Sequence, residues 1–323
     1  MRCRRLAAGA LALLLGACAV TSGDDTGPSA SDRPAPGASD DADGDVSDAG
    51  AEDLRADAPQ EGEAAEADAD EADDPAEGAG TRSDRDGTAA APRPDWLGTR
   101  ELPRRPDGLG EVQPTPPELV DRRLPPPEPL PPPDDDEFTA SLGPVPDEVV
   151  DRSTWGPDCP VGLDDLRYVT LSFWGFDERA HTGELLVHAS AAEDLVGIFE
   201  SLFEARFPIE EMRVISRDEL DAPPTGGGNV TTAFVCRSTV GGSRWSGHAF
   251  GLAIDVNPFH NPYVRGEVVV PELASAYLDR DEHRPGMIQP GDAVTQAFAE
   301  IGWGWGGTWR SSKDWMHFSA SGR

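Results

Sequence analysis

His248 and Asp255 stand seven residues apart in the stretch SGHAFGLAIDVNP, residues 246–258. Asp255 interrupts an apolar run, Leu252-Ala253-Ile254 before it and Val256 after it. Burying a carboxylate there costs on the order of several kcal/mol unless it is paired or bound to a cation. Near the C-terminus KDWMHF repeats the oddity: His317 lies between Met316 and Phe318, and Asp314 precedes it by three residues. Imidazole and carboxylate together suit zinc. His248, Asp255 and His317 would make three ligands and leave a fourth position for water, the composition of a catalytic rather than a closed structural zinc site. The competing reading of the same residues is a pair of core histidines and a salt-bridged aspartate. The glycines around His248 would let the backbone approach closely.

These residues need elements to hold them. DLRYVTLSFWGF reads as a strand ending at Gly175, and GELLVHAS as the next. Ser190 and Glu193 have the spacing of a capping box. It would open an amphipathic helix in which Leu195, Ile198, Phe199, Leu202 and Phe203 recur at helical intervals. MRVIS, TTAFVCR and LAIDVN read as strands, DAVTQAFAEIG as a helix running from Asp292 to Gly302, and WMHFS as a final strand. Mixed strands and few helices, with no regular βαβ alternation, predict an α+β domain: a mostly antiparallel sheet with a few flanking helices.

The 323 residues carry a formal charge of −33, unevenly spread. Residues 21–150 hold 35 acidic and 10 basic side chains, against 25 and 14 in residues 151–323. The first region is built from Asp, Glu, Ala, Gly and Pro and offers almost no core, so it reads as disordered. It has an acidic, Ala-rich part and a Pro-rich part, PTPPELVDRRLPPPEPLPPPDDDE, that favours extended polyproline II. A flexible chain of that size reaches roughly 60 Å, so 18–150 is expected to be a disordered spacer and 151–323 the folded domain. Partner recruitment by the proline run is the minor alternative. An acidic balance in both halves, with Lys313 the only lysine, argues against nucleic acid.

The N-terminus reads as a secretory signal over residues 1–17, with MRCRR as its basic region and LAAGALALLLGA as an apolar stretch short for a membrane span. Leu15-Gly16-Ala17-Cys18 resembles a bacterial lipobox, which implies lipid on Cys18 and an extracytoplasmic protein anchored to a bacterial membrane. Ordinary cleavage near Ala17 is the alternative. Cys159 and Cys236 are then an even pair in an oxidising compartment, expected to form a disulfide rather than to remain two buried thiols. His181 and His188 flank a strand and read as structural; His260 and His283 lie in loops and read as solvated. Of Trp303, Trp305, Trp309 and Trp315, most should pack in the core, and one or two could wall a cleft. TGGGN at 225–229 is a loop, and with no Lys-Ser/Thr after it is no phosphate cradle.

SGHAFGLAIDVNP resembles the S-x-H-x-x-G-x-A-x-D motif of the VanY/VanX-type D-Ala-D-Ala carboxypeptidases and the related L-alanyl-D-glutamate peptidases of phage endolysins. DWMHF resembles their second motif, and FVCR the family's strand with a substrate-facing Arg; NPF, NPY and GWGWGG look similar too. The resemblance covers about residues 155–320. It implies one zinc per chain on His248, Asp255 and His317, with Asp314 as general base. Arg237 would stabilise the oxyanion or hold a substrate carboxylate, and Ser246 would touch substrate. The substrate it implies is a peptidoglycan stem peptide, and the enzyme is expected to be a monomer. Many carboxypeptidase members have Glu where this chain has Asp314, and an Asp looks more like the L-alanyl-D-glutamate peptidases, so the scissile bond stays open. A zinc-containing binding module such as the Hedgehog signalling domain, and a peptidase of secreted proteins, are the alternatives. Asp314 and Arg237 favour an enzyme, since a binding module needs neither.

Overall fold

DLRYVTLSFWGF and GELLVHAS form the strands they predict, whereas of MRVIS only Met212 is in a strand. β1 (Ala140–Gly143), β2 (Leu166–Trp174) and β3 (Ala180–His188) make an antiparallel sheet in that order, with Leu166 opposite His188 and Trp174 opposite Ala180. The computed structural model describes residues 91–239 and 242–322. Helix α1 (Asp147–Arg152) is tied to this sheet by Arg152, which donates to both oxygens of the buried Glu184 on β3. Helix α2 (Ala192–Glu204) packs on β2 and buries the five apolar residues whose spacing predicted it: Leu195, Ile198, Phe199, Leu202 and Phe203.

The expected capping box at Ser190 is not there. Ala191 is the N-cap, without a side-chain bond, and the Ser190 hydroxyl lies 2.7 Å from His188 Nδ1 instead. Two polar partners competed for one hydroxyl, and the imidazole at the end of β3 has it. The capping box that does form is Ser216–Glu219, which opens α3 (Arg217–Asp221).

The remaining strands are short. β4 (Glu211–Met212) and β5 (Val230–Thr231) pair in parallel; β6 (Ala253–Asp255), β11 (His317–Ser319) and β9 (Gly304–Trp305) form a second antiparallel sheet, and β10 (Lys313–Asp314), β7 (Tyr263–Arg265) and β8 (Val268–Val270) a third. Helix α4 (Ala293–Glu300) starts where expected, with Asp292 accepting from the Thr295 amide. The TTAFVCR segment is extended but mostly outside any ladder. Its backbone bonds go to separate elements: Phe234 N–H to Leu186 O, Val235 N–H to His248 O, and Cys236 N–H to Thr154 Oγ1. It stitches several elements together instead of extending one sheet. Cys236 is also bonded to Cys159 in the expected disulfide.

The expected spacer ends earlier than residue 150. Residues 91–139 lie on the domain as a strap. Leu97, Leu102, Leu119 and Leu124 are buried with Phe259, Leu273, Tyr277 and Met287 in a second core. Arg122, from the middle of the proline run, is 2% exposed and donates Nε and Nη2 to the two oxygens of Glu210, which is 0% exposed, each at 2.7 Å. A proline-rich chain suits this position because an extended strap makes few ladder bonds, so missing N–H groups cost little. The acidic segment before residue 91, the signal and Cys18 lie outside the described residues.

Candidate active site

The register of β6 and β11 assembles the first two groups. His317 is directly opposite Asp255, and facing residues of an antiparallel pair project to the same side, with Cβ atoms roughly 4.5–5.5 Å apart. His317 Nδ1 lies 3.0 Å from Asp255 Oδ1. The third group comes from a 3-10 turn, Gly247–Phe250, capped by the Ser246 hydroxyl, which accepts from the His248 amide. The turn ends at Gly251 with φ of 67°, where a Cβ would meet the His188 backbone nitrogen at 2.6 Å. Only glycine fits both demands, so the glycine after His248 is what lets this turn press onto β3. His248 Nε2 then lies 3.2 Å from His317 Nδ1 and 3.2 Å from Asp255 Oδ2.

Their chemistry points to a cation. His248 Nδ1–H donates to Ala233 O at 2.6 Å, so in the neutral ring Nε2 carries a bare lone pair. That lone pair faces a carboxylate oxygen and a second imidazole nitrogen. A carboxylate and two imidazole rings converge in this spot, and these three residues offer ligand atoms all within 4.8 Å of one another. The carbonyl behind His248 is also the usual device for fixing a metal-binding tautomer. Burial alone would raise the Asp255 carboxyl, but His248 and His317 beside it hold it well below the usual carboxylate range. The donor set fits zinc: two nitrogens and one carboxylate, a count that leaves room for water.

Asp314 sits on β10, opposite Tyr263. Its Oδ1 is buried and has no hydrogen-bond partner among the described residues. Burial and the nearby Asp255 charge push its carboxyl up to about 7, against the opposing pull of His317 and Arg237. Arg237 follows the disulfide-bonded Cys236 and shares a cleft of about 590 Å³ with His248, Asp255, Thr232 and Val235. Its Nη1 donates to Ser238 O at 3.2 Å. Ser246 is buried, and its hydroxyl caps the His248 turn. The Trp309 ring lies 5.5 Å from that of His317, while Trp303 and Trp305 are in the core.

Thus the structure brings His248, Asp255, His317, Asp314 and Arg237 to one region. Residues 240–320 match the family model of a D-alanyl-D-alanine carboxypeptidase. The resemblance holds. The VanY-like stretch contains both motifs, from Ser246 through His317, and supports a peptidase. No curated protein and no solved structure matches the chain.

His260 corrects an expectation. It is fully buried rather than solvated, its ring stacked 4.8 Å from Phe176. Asn229 donates to its Nδ1 at 3.1 Å, and its Nε2–H donates to Arg122 O at 3.0 Å. Asn229 also donates to Glu210, closing a ring of bonds Arg122–Glu210–Asn229–His260. The orientation of Asn229 is fixed by its Oδ1, which accepts from the Phe259 amide. One sequence signal could have found this network: Glu210, like Asp255, is an acid after an apolar run, Phe207-Pro208-Ile209.

Proposed function

We propose that the protein is a zinc-dependent peptidase of the bacterial cell wall, cutting an amide bond in peptidoglycan stem peptides. The convergence of His248 Nε2, Asp255 and His317 Nδ1 beside a buried, raised carboxyl carries the reading. His248, Asp255 and His317 would hold one zinc ion, which when bound would polarise the scissile carbonyl and make water a nucleophile at neutral pH. Asp314 accepts the proton of the attacking water and returns it to the leaving amine. Burial and the Asp255 charge raise this carboxyl, and the charge of a bound cation would act to lower it towards the range of a proton acceptor. Arg237 supplies a fixed positive charge in the cleft, to meet either the developing oxyanion or a substrate carboxylate. Ser246 acts as a positioning residue through the turn that carries His248. The Cys18 lipid anchor, an extracytoplasmic location and a monomeric state belong to the same proposal.

The test is direct. The zinc-loaded protein is incubated with purified stem peptides and the product masses are read. Loss of a terminal D-alanine identifies a carboxypeptidase, and cleavage between L-alanine and D-glutamate an endopeptidase. No product from any stem peptide, with the metal shown to be bound, would overturn the proposal.

A further inference from the structure

The cleft that holds His248, Asp255 and Arg237 has a wall from outside the family-matched stretch. Arg93, Leu97 and Gly98 of the strap line it, together with Arg122. Their placement is built into the fold. A Cβ on Gly227 would meet Leu97 Cδ1 at 2.4 Å, and one on Gly226 would meet Leu102 Cδ1 at 2.6 Å. The glycine run in TGGGN therefore serves as the bed on which the strap leucines lie. Gly110 N–H donates to the buried Glu272 at 2.7 Å, and Tyr277 OH accepts from the Arg122 amide at 2.9 Å.

Arg93 is the charged group this wall presents. Its Nη2 donates to Glu210 Oε1 at 3.1 Å, and among the described residues its guanidinium makes no other hydrogen bond. Glu210 is already held by two bonds from Arg122 and one from Asn229. Two guanidiniums on one carboxylate leave a net positive charge, and of the two only Arg93 reaches solvent, with 36% of its side chain exposed. A guanidinium with free donors at the wall of a partly apolar cleft is suited to bind a carboxylate. A cleft of about 590 Å³ is large enough for several peptide residues.

We propose that the strap segment 91–98 forms a substrate subsite and that Arg93 selects peptides carrying a free carboxylate away from the scissile bond. The inference rests on the peptidase reading above. It assigns to the strap a part in specificity.

The test uses two stem peptides identical except that the carboxylate of one residue away from the scissile bond is free or amidated, with the full chain as wild type, Arg93→Gln and Arg93→Lys. Binding to the metal-free protein and hydrolysis by the zinc-loaded protein are both measured. The wild type should bind the free acid about tenfold more tightly than the amide. Arg93→Gln should raise Kd and KM for the free acid about tenfold with kcat unchanged and leave the amide alone. Arg93→Lys should recover part of the loss. Because Glu210 keeps Arg122 and Asn229, Arg93→Gln should melt close to the wild type. Equal effects on both peptides, or none on either, at each carboxylate tried would overturn the inference. Absence of hydrolysis with binding discrimination intact would instead count against the peptidase reading and leave the subsite standing.

Discussion

Arg122→Met should destabilise the domain by about 3 kcal/mol, because it leaves Glu210 charged and buried with its principal partner gone. The wild-type side chain gives Glu210 two bonds of 2.7 Å and gives Gly227 O a third of 2.9 Å. Removing one partner of a buried pair typically costs about 3–5 kcal/mol. The lower end applies here, since Asn229 and Arg93 still donate to Glu210. Methionine keeps the length of the aliphatic stem, and the backbone bonds of residue 122 to Tyr277 and His260 do not depend on its side chain. At about 2–4 °C per kcal/mol for a domain of this size, Tm should fall by roughly 6–12 °C. Burial opposes the charge on Glu210, but Arg122 outweighs it and holds the carboxyl below its usual range. A depressed folded pKa means that the pair's contribution is complete above the unfolded value of about 4.3 and is lost as pH falls below it. Melting at pH 7 therefore reads the full effect. Arg122→Met with Glu210→Met removes both charges and should recover most of the loss, since apolar replacements of buried pairs are often neutral. An unchanged Tm in the single variant would show that the strap is not docked in solution. A double variant less stable than the single would show that the charge imbalance is not the cause.

Asp314→Asn keeps the side-chain shape but cannot accept a proton. It should bind about one zinc and lose at least ~10²-fold in turnover, whereas His317→Ala should lose metal and activity together; metal analysis beside a peptide assay would refute the assignment if Asp314→Asn also lost zinc. His260 is pushed down to about 4 by burial, with Glu210 opposing, against about 6.5 when unfolded. Between those values the unfolded chain takes up a proton that the folded chain refuses, so stability should fall by about 3 kcal/mol as pH drops from 6.5 to 4. An NMR titration giving His260 a pKa near 6.5 would disprove this. Cys18→Ser should release the protein from the membrane fraction or block its processing, and unchanged fractionation would remove the lipid anchor from the proposal.

Two of the three proposed metal ligands were legible because they broke a local rule: Asp255 is an acid in an apolar strand, and His317 a basic ring between Met316 and Phe318. Asp314 came with His317 through the three-residue spacing of the motif. The strap was not legible, for physical reasons. Its anchors, Leu97, Leu102, Leu119, Leu124 and Arg122, are scattered among prolines and acids, so no window of composition shows a core and no period shows an element. Their partners lie far off in the chain, 88 residues for Arg122 and Glu210 and 138 for Arg122 O and His260. His260 departs from its loop reading for a related cause. A loop position predicts solvent only where nothing is packed on the loop, and the strap covers this one. Ser190 had the spacing of a cap, but the imidazole two residues earlier took its hydroxyl.

Asp255 and His317 face each other across β6 and β11, and the chain between them carries Phe259, His260, Leu273, Tyr277 and Met287, the surface on which the strap lies. An ion gripping the two strands would cinch the neck of this excursion while the strap braces its body. Neck and body are then linked thermodynamically. Whatever factor strap docking adds to metal affinity, metal binding must add to strap docking. Chelator titrations and protease nicking of the strap would read one coupling constant from opposite ends. A segment with the composition of a tether would thereby set the threshold at which the chain holds its ion.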